Sequence, residues 1–152
     1  MTAPTTAPTT APATGGQLAT FRLDGDLYGI EVEHVQEVLR SQQLTRVPLA
    51  PAAVAGLINL RGQVVTAIEL RERLGRPPRP EGTDAVVIVV RLHGEAVSLL
   101  VDSIADVVDV DPTDFEAPPD TLEGQARDLI RGAYKLRGQL LLALDVQKAV
   151  SA

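Results

Sequence analysis

The apolar positions of this chain fall mainly in short runs with the length and β-branching of strands. Four runs are strand-like in length and rich in Val, Leu and Ile: GQVVTAI, AVVIVVRL, EAVSLLV and GQLLLAL. A residue followed by Gly between such runs predicts a two-residue hairpin turn, because Gly readily adopts positive φ. The chain has such pairs at Asp24-Gly25, Arg61-Gly62, His93-Gly94 and Arg137-Gly138. We therefore expect a mainly β fold.

Other short stretches have patterns that predict helices. In Glu31–Arg40 the valines fall on one helical stripe and the charged residues on the other face. Pro51–Gly56 is predicted as a helical turn opened by the proline. Glu69–Leu74 is predicted as a helix ended by Gly75, and Asp145 can cap a final helix of sequence VQKAV.

The chain contains the same unit twice. Residues Arg22–Leu39 match Arg91–Val108 at a separation of 69 residues, and Val54–Leu70 match Ile130–Val146 at a separation of 76, with LRGQ identical in both copies. The second copy is thus 7 residues longer, within the acidic, proline-rich stretch DVDPTDFEAPPD. Each half is predicted to form its own small, twisted antiparallel sheet.

Composition divides the chain into a tail and one domain. Residues 1–16, a Thr/Ala/Pro repeat without charge, cannot bury enough surface to offset the entropy of ordering, and we expect a disordered tail. The domain is predicted over residues 17–150, with halves 17–75 and 84–150 linked by 76–83, which contain the stiff sequence RPPRP.

Charge and residue content exclude several classes of function. The net charge of −6 and the 3% aromatic content disfavour a nucleic-acid partner, whose phosphates require clustered Lys and Arg. The chain has no Cys, which excludes disulfides and thiolate metal sites. No apolar run reaches the roughly 18 residues that a membrane-spanning helix needs.

Catalytic groups are also not apparent. His34 on a predicted helix and His93 at a hairpin tip have no nearby nucleophile or orienting group in the sequence. No phosphate-binding Gly loop, paired-His spacing or dinucleotide fingerprint is present. We expect a protein that is not an enzyme, binds no metal or cofactor, and acts by binding other proteins.

The run VPLAPAAVAGLINLRGQVV, residues 47–65, resembles the signature of the CheW family, the adaptors of bacterial chemosensory arrays. The matching residues are Pro48, Ala50-Pro51, Gly56 and Asn59–Gly62. The resemblance continues through Phe21, Tyr28-Gly-Ile, Leu100-Val-Asp102 and the closing LRGQLLLALDV. Three positions depart from the family pattern: Thr66 stands for Pro, Glu69 for Asp and Ser98 for Gly. Without Pro at position 66, strand Gln63–Ile68 regains an N–H donor, so its edge could pair further or be better ordered.

The resemblance implies a fold and a function. The fold is two SH3-like five-stranded β-barrel subdomains that share a core, with short helices. The function is a cytoplasmic, non-enzymatic adaptor, recruited to membrane-associated arrays, that couples chemoreceptor cytoplasmic tips to the regulatory domain of the histidine kinase CheA in chemotaxis. By the same resemblance, the receptor tip is received by Val35, Glu37, Val38, Asn59, Arg61, Val101 and Val107. Interfaces in the family are small and exchangeable, which implies a monomer for the free protein.

Arg61 is the strongest of these candidates, although Arg137 occupies the equivalent turn of the second copy, where the family gives it no comparable role. Other assignments stay open. The chain could be a CheW-like coupling protein of another chemosensory pathway, with twitching, development or a second messenger as output. It could also be a fragment of a CheA-type regulatory domain.

Overall fold

The computed structural model describes residues 16–40, 42–122 and 124–151. The predicted tail lies outside these residues except for Gly16, which begins the first strand. Three short helices are described, α1 (Leu70–Arg73), α2 (Gly124–Leu129) and α3 (Val146–Val150), with 3-10 turns at Val32–His34 and Pro112–Asp114. The strands described are β1 (Gly16–Leu23), β2 (Asp26–Glu31), β3 (Val35–Leu39), β4 (Val54–Leu60), β5 (Gln63–Glu69), β6 (Val86–Leu92), β7 (Glu95–Val101), β8 (Ser103–Val110), β9 (Phe115–Glu116), β10 (Ile130–Leu136) and β11 (Gln139–Leu144).

The strands form two sheets, and each sheet contains strands from both copies of the repeat. The six-stranded sheet has the order β8-β1-β2-β11-β10-β9, and the five-stranded sheet has the order β3-β6-β7-β5-β4. The two copies thus exchange their first hairpins, through parallel pairing of β2 with β11 and of β5 with β7. The prediction that each half forms its own antiparallel sheet is therefore wrong.

The mainly β fold with two SH3-like subdomains is confirmed, with one difference. The sheets have six and five strands and are not closed barrels. Each sheet holds a small apolar cluster of its own, around Leu141 in the six-stranded sheet and Val89 in the five-stranded one. The largest cluster contains side chains of both sheets, including Phe21, Ile88 and Leu142, and is the shared core.

The four hairpin turns lie where the residue-Gly pairs predict them. Asp24, Arg61 and His93 have φ between 50° and 53°, and each is followed by a Gly with φ between 82° and 88°. Positive φ at both positions is the type I′ geometry whose twist matches that of paired strands. The fourth turn, between β10 and β11, has Gly138 at φ 80°.

The predicted helix over Glu31–Arg40 does not form. The chain makes one 3-10 turn, Val32–His34, and then strand β3, which pairs with β6 through contacts such as Val38 with Ile88. Valines spaced for a helical stripe also suit a strand, and here a neighbouring strand supplies the backbone partners, so β-branching prevails over the spacing.

Of the three other helix predictions, two are confirmed and one is wrong in its extent. α1 and α3 are confirmed, with Glu69 accepting a hydrogen bond from the backbone N–H of Arg71, and Asp145 accepting one from that of Lys148. Pro51 does open a turn, in which its carbonyl oxygen accepts a hydrogen bond of 2.9 Å from the backbone N–H of Val54. The predicted extent to Gly56 is wrong, because β4 begins at Val54 and Gly56 lies inside it.

Gly56 and its counterpart Gly132 admit a close backbone approach in both copies. A Cβ built on Gly56 would lie 2.7 Å from the carbonyl oxygen of Thr45, and one on Gly132 would lie 2.5 Å from that of Glu116. Thr45 pairs with Leu57, and Glu116 with Ala133, at equivalent places beside β4 and β10. A side chain at either glycine would push this extra segment off the sheet.

Strand β5 is not an edge. It lies between β4 and β7, and Thr66 pairs with Leu57 of β4. The expectation that Thr66 frees an edge for further pairing is therefore wrong.

Candidate partner-binding surface

An ion pair joins the two edges of the five-stranded sheet. Glu37 lies on edge strand β3, and Arg61 lies in the turn that follows the opposite edge strand, β4. The Arg61 guanidinium donates from Nη1 to Glu37 Oε2 at 2.8 Å and from Nη2 to Oε1 at 2.6 Å. This bidentate contact shows how strongly the sheet curls, because strands at opposite ends of its order meet there.

Local backbone geometry places both partners. Arg61 is the first turn residue, with φ 52°, and the side chain of Asn59 accepts a hydrogen bond of 2.9 Å from the backbone N–H of Gly62. The register of β3 shifts between Val35 and Glu37, as in a β-bulge, and this irregularity sets which way the following side chains point. Asn59 therefore supports the turn that carries Arg61.

The pair keeps Glu37 charged while leaving the guanidinium accessible. The hydrogen bond from Arg61 lowers the pKa of the Glu37 carboxyl, and the same bond raises the pKa of Arg61. The Arg61 side chain is 71% exposed, against 21% for Glu37. The surface thus presents a fixed cation whose carboxylate partner is turned inward.

Exposed valines lie on strands β3 and β5 near this ion pair, with Val38 on the opposite face of β3 from Glu37. Val38 follows Glu37 on β3 and is 46% exposed, and Val64 pairs with Asn59 across the β4–β5 hairpin and is 62% exposed. Sequence reasoning identified Val38 but missed Val64. The alternation of β5 carries a signal for it, since buried Val65 and Ala67 place Val64 on the outer face.

The other predicted residues do not join this surface. Val35 is partly buried against the shared core, and Val101 is fully buried within it. Val101 alternates inward at the end of β7, so its placement on a binding groove is corrected. Val107 is 55% exposed but belongs to β8 of the six-stranded sheet, where it pairs with Ala19 of β1.

The equivalent turn of the second copy has different contacts. The counterparts of Glu37 and Arg61 are Asp106 and Arg137, and within the described residues no ion pair joins them. Lys135, the counterpart of Asn59, instead lies 2.9 Å from Glu116. The Glu37–Arg61 contact thus distinguishes the first copy from the second.

A second charged network, which sequence reasoning missed, holds the segment between the copies. Arg71 is almost fully buried, and it donates to Asp102 from Nε at 3.0 Å and from Nη2 at 2.6 Å. Arg79 joins this network by donating hydrogen bonds to the carboxylates of Asp102 and Glu69. Glu69, Arg71 and Arg79 are close in sequence, but Asp102 belongs to the second copy, and the exchange of hairpins brings it to the other three.

Two kinds of feature are absent from the described part of the chain. Residues 16–40, 42–122 and 124–151 contain no group of three or more His, Asp or Glu side chains placed to hold a metal ion. Within the same ranges, no helix has the length and apolarity to span a membrane.

Comparison with known proteins places the chain in a family. The model of the CheW-like domain matches residues 17–152. The chemotaxis protein CheW of Treponema pallidum is 31% identical over 140 residues, which cover 90% of this chain and 82% of that protein. The CheW of Bacillus subtilis is 30% identical over 132 residues, covering 87% and 85%.

A solved structure agrees with these relatives. The crystal structure of the scaffolding protein TtCheW from Thermoanaerobacter tengcongensis is similar with a TM-score of 0.75 and 28% identity, and the match covers 86% of this chain and 89% of that one. With the family model covering nearly all of the described residues, the chain belongs to the CheW-like domain family.

Proposed function

We propose that this protein is a non-enzymatic chemotaxis adaptor that couples the cytoplasmic tips of chemoreceptors to the histidine kinase CheA. The observation that carries the proposal is the family match over residues 17–152, together with relatives named chemotaxis protein CheW that align over most of their length. Such an adaptor works in the cytoplasm at membrane-associated receptor arrays.

The surface around Arg61 supports the part of the proposal that concerns the receptor. A helical hairpin tip offers an apolar stripe with polar flanks, which suits exposed valines beside an oriented guanidinium. The exposed Val38 and Val64 supply apolar contact, and the bidentate bond to Glu37 holds Arg61 in one position before binding. A preorganised cation loses less entropy on association than a mobile one.

The residues proposed for receptor contact lie in three places. Glu37, Val38, Asn59 and Arg61 lie at the ion pair or next to it and form the proposed contact surface, to which Val64 is added. Val35 lies behind this surface, and Val107 is a separate contact on the other sheet.

Replacing Arg61 by Ala tests the surface. We expect R61A to weaken binding of a receptor hairpin fragment by about tenfold, a loss of ~1.4 kcal/mol that lies within the range for interface arginines. Titration calorimetry with the receptor fragment measures the affinity. The melting temperature should stay nearly unchanged because Arg61 is exposed.

Arg137→Ala is the matched control, since Arg137 occupies the same turn in the second copy. It should bind the receptor fragment like the wild type. Equal losses in R61A and R137A would refute the role of Arg61. Failure of the wild-type protein to bind any receptor or CheA regulatory domain of its host would refute the adaptor function itself.

A further inference from the structure

The segment between the two copies lies in a cleft of the protein like a bound peptide. Arg71 donates from Nη1 to the carbonyl oxygen of Pro77 at 2.8 Å. Arg76 donates to the carboxylates of Asp24 and Asp26 and to the Tyr28 hydroxyl, the last at 3.0 Å. Segment 76–79 is therefore held along its length by side chains and not only by its two ends.

Acidic side chains that surround segment 76–79 account for its binding. The linker cleft, as we name it, is formed by Asp24, Asp26, Glu69, Arg71 and Asp102. It has four carboxylates against one guanidinium, and the segment it holds brings two arginines. Arg79 alone donates to Glu69 at 2.9 and 3.0 Å and to Asp102 at 3.0 Å.

The duplication creates a corresponding cleft in the second copy. At the separations of 69 and 76 residues, the counterparts of Asp24, Glu69 and Arg71 are His93, Asp145 and Gln147. These three residues line one open cleft of about 350 Å³, and no segment of the described residues fills it as segment 76–79 fills the first. We call it the second cleft. It is further lined by His34, Arg91 and Arg131.

The charge of the second cleft is opposite in sign to that of the linker cleft. Its lining has two guanidiniums, both histidines of the chain and one carboxylate. That carboxylate, Asp145, already accepts a hydrogen bond of 3.1 Å from the backbone N–H of Lys148 as the cap of α3. A chain with net charge −6 thus gathers positive charge at a place built like a peptide-binding cleft.

Donor groups of the second cleft are available to a ligand. Arg91 uses Nε and Nη1 for Gln36 and the Gly94 carbonyl, both at 2.7 Å, and its Nη2 has no partner among the described residues. Among the described residues, the ion-pair partner of Arg131 is Glu31, at 3.8 Å from Nη1, a contact too long for a hydrogen bond. Glu31 lies at the edge of the cleft and is also 3.1 Å from His34. Carboxylates are the natural acceptors for both guanidiniums.

We propose that the second cleft docks an extended acidic segment of a partner protein, in the way that the linker cleft holds segment 76–79. The linker cleft shows that this fold holds an extended chain at this position, and the reversed charge specifies an acidic occupant. Residues 1–15 carry no charge and do not fit this chemistry. The proposal does not depend on the role of Arg61.

The test uses a fluorescein-labelled 12-residue peptide of acidic, proline-containing sequence, DVDPTDFEAPPD, and the full chain. Fluorescence anisotropy should give a Kd below about 1 mM at 50 mM NaCl, and affinity should fall about fivefold or more at 500 mM NaCl because exposed charges are screened. Amide shifts in NMR spectra should appear at His93, Arg131 and Gln147. A peptide with Asn and Gln in place of Asp and Glu should bind at least about fivefold more weakly.

Matched variants locate the site. Arg131→Glu should lower peptide affinity about fivefold or more, whereas Arg137→Glu, the same charge change on an exposed hairpin turn, should change it less than twofold. Equal effects of the two variants, or amide shifts outside the cleft, would overturn the proposal. So would equally tight binding of a 12-nucleotide thymidine oligomer, or an increase in affinity when residues 1–15 are deleted, which would make the tail the occupant.

Discussion

At the scale of single residues, Ser98 has a hydroxyl that the fold leaves without a partner. Ser98 lies at the centre of β7, is fully buried, and its Oγ has no hydrogen-bond partner among the described residues. Its counterpart in the first copy is Gly29, where a Cβ would lie 3.0 Å from the Leu141 side chain. The second copy thus has room for a side chain at this position but supplies no polar group to pair with it.

Removing the hydroxyl should stabilise the protein. Ser98→Ala is expected to raise the free energy of unfolding by about 1 kcal/mol, because burying an unpaired hydroxyl costs free energy that a methyl group does not. Urea denaturation at pH 7 measures the change. Ser103→Ala, at an exposed position of β8, is the control and should change stability by less than about 0.5 kcal/mol. A less stable S98A would show that the hydroxyl is hydrogen-bonded in solution.

At the scale of elements, Asp102 connects the junction of β7 and β8 with three other parts of the chain. It accepts hydrogen bonds from Arg71 of α1, from Arg79 of the linker and from the backbone N–H of Asp24 in the β1–β2 turn. Burial by itself raises the pKa of Asp102, but these hydrogen bonds and the nearby arginines outweigh it and lower the pKa to about 2. One carboxylate therefore fixes the linker against both sheets.

The lowered pKa of Asp102 predicts a stability that depends on pH. A carboxyl whose pKa falls from 3.8 to about 2 on folding stabilises the protein above pH 4, and this contribution is lost as the pH falls from about 4 to 2. We expect it to be about 1 kcal/mol, because a partly exposed group is screened by solvent. Asp102→Asn should lower the free energy of unfolding by about 1 to 3 kcal/mol at pH 7, since Arg71 then stays buried without the carboxylate that it hydrogen-bonds, and Asp24 is 3.9 Å away.

Urea titrations of wild type and D102N at pH 7, 4 and 2.5 provide the measurement. The gap between the two proteins should narrow toward pH 2.5, where the wild-type carboxyl is increasingly protonated. Asp106→Asn, at an exposed position of β8, should show little gap at any pH. A D102N gap that is the same at all three pH values would contradict the assignment.

At the scale of the whole molecule, local signals predicted turns and caps well but not the pairing of strands. The residue-Gly turns and the caps Glu69 and Asp145 depend on a few neighbouring residues, and they are confirmed. Strand β3 was missed, because its valine spacing suits a helix as well as a strand. The exchange of hairpins could not be predicted, because two copies of one apolar pattern offer the same edges to either partner.

The candidate site was likewise predicted in its local residues but not in the contacts between distant strands. The family motif identified Arg61 and Glu37, but their bidentate contact joins the two edges of the five-stranded sheet and depends on the curl of that sheet. Val101 was assigned to the groove by the family resemblance, and the fully apolar end of β7 does not tell which of its side chains face the core. The Arg71–Asp102 network was missed because its members meet only after the hairpins have been exchanged.

The exchange makes a prediction about the halves of the chain. The five-stranded sheet takes β6 and β7 from residues 84–151, and the six-stranded sheet takes β1 and β2 from residues 16–83. Separate fragments of residues 16–83 and 84–151 should therefore lack a cooperative thermal transition by circular dichroism, because each would leave strand edges and apolar surface exposed. Mixing them at equal concentrations should restore the β spectrum and one transition. A cooperative transition in either fragment alone would show that a half can form its own sheet, and that the exchange between copies is not needed for folding.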